Sequence, residues 1–357
     1  MSERHKMYIA IAIIVFGLLI TVHELGHFLA AKSLGVKVNE FAIGMGPAII
    51  KKQGRETLYS LRALPIGGFC SMEGEDEESN DPRSFANKPL WRRFVILIAG
   101  SFMNFLAGFL ILAALFSGYG AITTTTLAGF MEGFPNTETG LREGDTFYSI
   151  DGERIYLSND LSTFLSRGNG KTADIVVIRD GKKVFLNDFP ISLREYEING
   201  QKVLRYGIYL KAERATLGLK LRHTWYTSIS FVRMVRLGLS DLITGNVGVR
   251  ELSGPIGIVG IINEVGSAAE TKSAAFANIA YICAFIAINL AVMNMLPIPA
   301  LDGGRIFFML VTFVAEKILR KRINPKYENY IHLAGFVLLM GLMVFIFFND
   351  ILKLVGR

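Results

Sequence analysis

Four long apolar runs constrain this chain more than any other feature. They are Met7–Ala31, Phe94–Phe116, Ala274–Leu296 and Ile331–Phe348, and all but the first lack Asp, Glu, Lys and Arg. A helix rises 1.5 Å per residue, so about 20 apolar residues cross a hydrocarbon core of roughly 30 Å. The first three runs meet that length, and the fourth, of 18 residues, falls within the range of spanning helices. Elsewhere the chain is ordinary and polar, which explains how 51% of it can be hydrophobic and only 19% charged. The pattern excludes a disordered or fibrous protein and an ordinary soluble globule. It predicts a polytopic α-helical membrane protein with four transmembrane helices. A secretory leader is the competing reading of the first run, since Arg4 and Lys6 precede it, but the run outlasts a usual leader core.

The 38 Lys and Arg against 31 Asp and Glu would suit nucleic acid on charge alone. Beside apolar runs, basic residues instead mark cytoplasmic loops, so no nucleic-acid partner is expected. Lys32, Lys37, Lys88, Arg92 and Arg93 flank the segment between the first two runs. Arg305, Lys317, Arg320, Lys321, Arg322 and Lys326 crowd a second segment, 303–329, read as a short loop. Both read as cytoplasmic, which places both termini and the long 117–273 segment outside. Within that outer segment, 121–214 alternates apolar and polar residues around Asp-Gly turns, the pattern of a small β-rich domain. From Leu217 to Leu239, apolar residues recur at helical spacing, interrupted by Lys220, Arg222, Arg233 and Arg236. That fits a helix lying in the membrane interface, or else a core helix of the β-rich domain.

His23-Glu24-Leu25-Gly26-His27 is the motif that carries chemistry. Four residues of helix advance about 400°, so the two histidines share a face one turn apart. They can bind one Zn²⁺, with Glu24 beside them as general base. Ionisable groups in a membrane helix cost about 2.5–3.5 kcal/mol each at mid-depth, and those present usually serve function. Catalytic zinc needs a third protein ligand. The two cysteines, Cys70 in a polar loop and Cys283 in an apolar run, have no metal spacing. His5, His223 and His332 sit where interfacial histidines sit. Asp302 is the better candidate. It follows the third apolar run in Asn294-Met-Leu-Pro297-Ile-Pro299-Ala-Leu-Asp302-Gly-Gly304, at the depth of the histidines. Pro297 and Pro299 break the helix, which membranes tolerate where the freed backbone lines a polar cavity. Asn294 supplies an amide for a substrate backbone. A plain helix stop with Asp302 as a cap is the alternative reading.

These motifs resemble the site-2 protease family of intramembrane zinc metalloproteases, of the bacterial type with an inserted PDZ domain. HELGH at 23–27 and NMLPIPALDGG at 294–304 match its two signature motifs. Gly44-Met-Gly-Pro47, Leu64-Pro-Ile-Gly67-Gly68-Phe69, Met72, Gly74 and Glu75 look like its re-entrant β-hairpin. Ala99-Gly-Ser-Phe-Met-Asn104 looks like its second-helix motif, with Ser101 where the family usually has Pro, and Leu252-Ser-Gly-Pro-Ile-Gly257 like its segment ahead of the third helix. Gly140–Asp145, Ser149–Gly152 and Arg179–Gly181 look like one PDZ core, where some relatives carry two.

The resemblance implies an organisation. It runs from a first transmembrane helix with the HExxH motif (1–31) to a cytoplasmic loop with the hairpin (32–93). A second transmembrane helix (94–116) leads to an extracytoplasmic PDZ domain (121–214) and an amphipathic helical segment (215–273). A third transmembrane helix with the broken segment (274–304) and a fourth (331–350) complete it. His23, His27 and Asp302 are then the zinc ligands and Glu24 the catalytic base. Asn294, Pro297, Pro299, Gly67 and Gly68 are expected at the substrate. The enzyme would sit in the bacterial cell membrane with its active site toward the cytoplasm. Its substrates would be single-span membrane proteins already trimmed outside by a site-1 protease, such as anti-sigma factors and remnant signal peptides. The PDZ domain would bind peptide tails or exclude bulky substrates. Two other readings stay open: a membrane zincin whose third ligand is a downstream Glu, and a PDZ scaffold without activity.

Overall fold

The computed structural model of the protein describes residues 3–75, 79–134, 140–198, 201–248, 251, 254–320 and 326–355. Along the chain come helix α1 (Glu3–Ser33), strands β1 (Val38–Gln53) and β2 (Leu58–Met72), and helix α2 (Leu90–Ser117). Next are β3 (Ala121–Phe130), β4 (Thr146–Ile150), β5 (Glu153–Arg154), α3 (Ser158–Arg167), β6 (Thr172–Arg179), β7 (Lys182–Pro190), β8 (Arg194–Ile198), β9 (Gln201–Arg205) and β10 (Ile208–Arg214). Helices α4 (Leu217–Thr244), α5 (Pro255–Ala268), α6 (Lys272–Asn294), α7 (Asp302–Leu319) and α8 (Lys326–Val355) follow. The chain divides into two compact units, Met1–Leu112 with Phe231–Arg357, and Ala113–Ser230.

Among the described residues, four helices are long and apolar enough to cross a membrane, in Met7–Ser33, Leu90–Ser117, Lys272–Asn294 and Tyr330–Lys353. The helix ends follow local chemistry. Pro89 precedes α2, and Thr271 caps α6 by accepting the Ala274 N–H at 3.1 Å. In the first unit α1 is the hub. Its Leu19 packs on Ile286 and Ala287 of α6, and its Tyr8 and Ala12 pack on Ile262 of α5, where the Tyr8 hydroxyl donates to Gly266 O at 2.9 Å. A further buried cluster joins Ala31, Phe41, Met72, Ile96, Leu97, Ile306 and Met309, so that α1, the β1–β2 sheet, α2 and α7 share one core.

The β1–β2 pair is more than a hairpin. Phe41 has two partners, Cys70 on one side and Tyr59 on the other, and Tyr59 also pairs with Lys52. Each strand therefore bends and serves twice, and the 68–72 stretch forms one edge. Ile43, Met45, Ile49, Ile50 and Leu64 leave large apolar surfaces exposed around the bend. Pro65 presses on α1 at Gly17, where a Cβ would lie 2.3 Å from the Pro65 carbonyl oxygen. That contact lies about 9 Å along α1 from His23. At the base of the sheet, hydrogen bonds from Ser79, Asn39 and Lys37 hold the Glu73 carboxyl down to about 2.

The second unit carries a six-stranded sheet in the order β10-β3-β4-β6-β7, with β5 on β4, plus the β8–β9 pair. Phe147, Ile150, Ile175, Val177, Leu161 and Phe164 fill its core. Both expected Asp-Gly turns form, with positive φ at Asp151 and Gly152 and at Asp180 and Gly181. Buried Asp145 takes two bonds of 2.7 Å from Arg179 and a third from the Arg142 N–H. On α4 the buried side chains include Thr224, Thr227 and Ser228, whereas Leu217, Leu221 and Trp225 of the apolar stripe are exposed. These three stripe positions are thus not core, and Ile229, Val232, Val235 and Leu239 are half-buried.

Three sequence expectations need correction or limits. Residues 303–319 are not a loop but most of helix α7. The Gly303-Gly304 pair looked like a terminator. It instead lets α7 start against the preceding backbone, since a Cβ on Gly304 would meet Ile298 O at 2.1 Å. Cys70 lies buried in β2 rather than in a polar loop. Helix α2 continues unbroken through Ser101. Lys321, Arg322, Leu252 and Ser253 lie outside the described residues.

Candidate metal centre

His23 and His27 project from the same face of α1, with their ring centroids 4.7 Å apart. Both are buried, at 8% and 6% exposure. Their Nε2 atoms stand 3.1 Å apart. The chain then travels more than 270 residues before Asp302 returns to them. Its Oδ2 lies 3.1 Å from His23 Nε2 and 3.3 Å from His27 Nε2. What brings it back is the break in the third apolar run. Helix α6 ends at Asn294, residues 295–301 are non-helical, and α7 restarts at Asp302.

The three atoms form a triangle with edges of 3.1–3.3 Å. Ligands bound at about 2.0–2.1 Å around a tetrahedral zinc stand roughly 3.3 Å apart. The donor set fits zinc in kind as well, being two imidazoles and a carboxylate without thiol. Asp302 Oδ2 is buried and makes no well-formed hydrogen bond, as an atom meant for a cation would be. His27 Nδ1 lies 2.9 Å from the Ile96 carbonyl oxygen. Donating there fixes the tautomer that leaves Nε2 free for a metal. Among the described residues, His23, His27 and Asp302 are the group of three His, Cys, Asp or Glu side chains placed to hold a metal ion.

Glu24 shares a cavity of about 320 Å³ with His23, Asn104, Asn294 and Asp302. Its Oε2 accepts the Cys70 N–H at 3.0 Å. This bond ties the carboxylate to the 68–72 edge of the sheet. Asn294 Nδ2 lies 3.4 Å from His23 Nδ1. A Cβ on Gly68 would stand 3.7 Å from Glu24 Cγ, so this glycine lies beside the acid. Gly67, at φ +92°, is seated against Met45. Pro297 and Pro299 shape the break but do not line the cavity.

Three contributors had no role assigned from the sequence, although Gly100 and Asn104 lie in the second-helix motif at 99–104. Asn104 is buried, lines the cavity, and leaves Oδ1 without a hydrogen-bond partner. The Cys70 backbone N–H carried no side-chain signal. Gly100 of α2 backs the histidines, because a Cβ there would meet His27 Nε2 at 2.3 Å and His23 Cε1 at 2.8 Å. Alanine is the better helix former by about 1 kcal/mol. Gly100→Ala should nevertheless lower the zinc retained per chain, measured by metal analysis of the purified protein, while helix content holds. Full zinc occupancy in that variant would contradict the close backing.

Residues 11–342 match the model of Peptidase family M50. A candidate zinc metalloprotease of Clostridium acetobutylicum is 37% identical over 350 residues, covering 96% of this chain and 97% of its own length. A similarly named protein of Clostridium perfringens is 35% identical over 348 residues, covering 97% of this chain and 99% of its own. The regulator of sigma-W protease RasP of Bacillus subtilis is 28% identical over 424 aligned residues, covering 96% of this chain and 97% of RasP.

Proposed function

The chain belongs to peptidase family M50, the site-2 protease family, and is a zinc metalloprotease; on that premise we propose that it cuts peptide bonds inside transmembrane segments. The observation that carries this reading is the convergence of His23, His27 and Asp302 on apolar helices, beside a cavity that Glu24 enters.

In this reading His23, His27 and Asp302 hold Zn²⁺. Held there, zinc would supply Lewis-acid polarisation of the scissile carbonyl and would acidify the attacking water toward a pKa of about 7. Glu24 accepts the proton of the attacking water and delivers it to the leaving amine. The Cys70 N–H occupies Glu24 Oε2, which leaves Oε1 for that transfer. Asn294 and the edge at Gly67, Gly68 and Cys70 bind substrate backbone. A helix hides its carbonyls in i→i−4 bonds, so it must unwind before cleavage, and in lipid its freed groups need new partners. An edge strand supplies them by strand addition. The exposed apolar bend of the sheet and its contact at Gly17 support a hairpin that re-enters the membrane. Helix-breaking residues near the scissile bond should then speed cleavage several-fold. Replacing them with Leu in a reconstituted substrate should slow it, and an unchanged rate would remove the unwinding step.

We place the active site toward the cytoplasm and the 121–214 domain, read as one PDZ domain, outside the cell membrane. Basic residues at the ends of the 32–93 segment support this orientation. The exposed stripe on α4 supports an interfacial helix. Substrates are single-span proteins after site-1 cleavage. The RasP relative is named for regulation of sigma-W, which supports anti-sigma factors beside remnant signal peptides as targets. The outer domain acts by bulk. Deleting 121–214 should let the enzyme cut untrimmed substrate, seen as new fragments on a gel, and unchanged selectivity would reject the filter.

A further inference from the structure

The Pro297–Leu301 stretch that delivers Asp302 is held from outside the site. Ala300 carries φ +76°, a left-handed conformation that a residue with a Cβ rarely adopts. It also lines the cavity beside Asp302. Its backbone N–H donates to His332 Nδ1 of α8 at 3.1 Å. On the same face of α8, Gly335 seats the break, since a Cβ there would meet Pro299 Cβ at 2.3 Å and its carbonyl oxygen at 2.9 Å. The His332 ring also meets Phe308 of α7 edge-on, with centroids 5.5 Å apart. Among the described residues, an acceptor nitrogen on His332 and the absent side chain of Gly335 thus bring α8 against the strained loop.

We infer that His332 is a positioning residue: by accepting the Ala300 N–H it fixes the turn that aims Asp302 at the two histidines. This rests on the proposed ligand set. The acceptor role requires Nδ1 without its proton, so the neutral ring carries hydrogen on Nε2. A strained φ persists only where its surroundings over-determine it. Without the acceptor, Ala300 is free to relax toward ordinary φ, and Asp302 two residues later moves with it. The role is separate from ligation, because His332 meets the chain at the Ala300 N–H and is not one of the three side chains placed to hold the metal.

The side-chain carbonyl of Asn can occupy the place of Nδ1, whereas Gln places its amide where Nε2 lies. Zinc release to a chelator from the purified full-length protein reads the difference. His332→Ala and His332→Gln should release zinc roughly 10–100-fold faster than wild type, the usual scale for loss of a partner that orients a metal ligand. His332→Asn should stay within about threefold of wild type on that scale. Release from His332→Ala at the wild-type rate, or from Asn as fast as from Ala, would overturn the inference. Circular dichroism and size-exclusion profiles of the Asn and Ala variants show whether both are folded. Asp302→Ala separates the layers. If it keeps zinc, the ligand set itself fails; if it loses zinc while His332→Ala holds it, only the positioning role fails.

Discussion

Glu24→Gln will bind one zinc per chain and cut no substrate at a measurable rate. The carboxamide has the shape of the carboxylate and can still accept the Cys70 N–H that Glu24 Oε2 accepts at 3.0 Å. Because Glu24 is not one of the three atoms in the metal triangle, its loss leaves that triangle intact. What disappears is a group able to take a proton from water and return it to the leaving amine. General acid–base catalysis contributes about 10²–10⁴-fold, and here one residue serves both directions, so the loss should reach the upper end. Metal analysis and a cleavage assay on the same preparation check it. Cleavage at the wild-type rate would remove Glu24 from the mechanism.

Asp302→Ala should have the opposite signature: zinc falls first, and activity falls with it. Two imidazoles cannot by themselves complete a catalytic zinc site, which takes three protein ligands.

 The two Nε2 atoms stand 3.1 Å apart and Asp302 Oδ2 closes the triangle at 3.1 and 3.3 Å, so its removal leaves an incomplete donor set. The expected loss of zinc affinity exceeds the roughly 10–100-fold that follows removal of a partner outside the ligand set. Asp302→Asn keeps the size of the side chain at the start of α7 but removes its charge, so it should fall between wild type and Ala. Competition with a zinc-binding dye measures all three. Equal affinities would point to another third ligand, as in a membrane zincin that uses a downstream Glu.

The local parts of this architecture could be read from sequence, and the long-range parts could not. Four apolar runs predicted four spanning helices because length and hydropathy are local properties. HELGH was legible because one helical turn sets the spacing of His23 and His27. Asp302 was legible because Pro297 and Pro299 break an apolar run just before it. The double partnering of Phe41 with Cys70 and Tyr59 was not, since it depends on how two long strands bend. The helix after Gly303-Gly304 was hidden because glycine that permits close packing looks the same as glycine that ends a helix. His27 meets the Ile96 carbonyl across 69 positions, and Ala300 meets His332 across 32. Neither pairing has a motif, so only the fold reveals it.

Zinc-edge X-ray absorption on the purified wild-type protein tests the central claim most directly. The account predicts one zinc per chain whose first shell contains two imidazole nitrogens and oxygen, with no sulfur, and which loses an oxygen neighbour or the metal itself in Asp302→Ala. A shell containing sulfur, or one unchanged by Asp302→Ala, would contradict it.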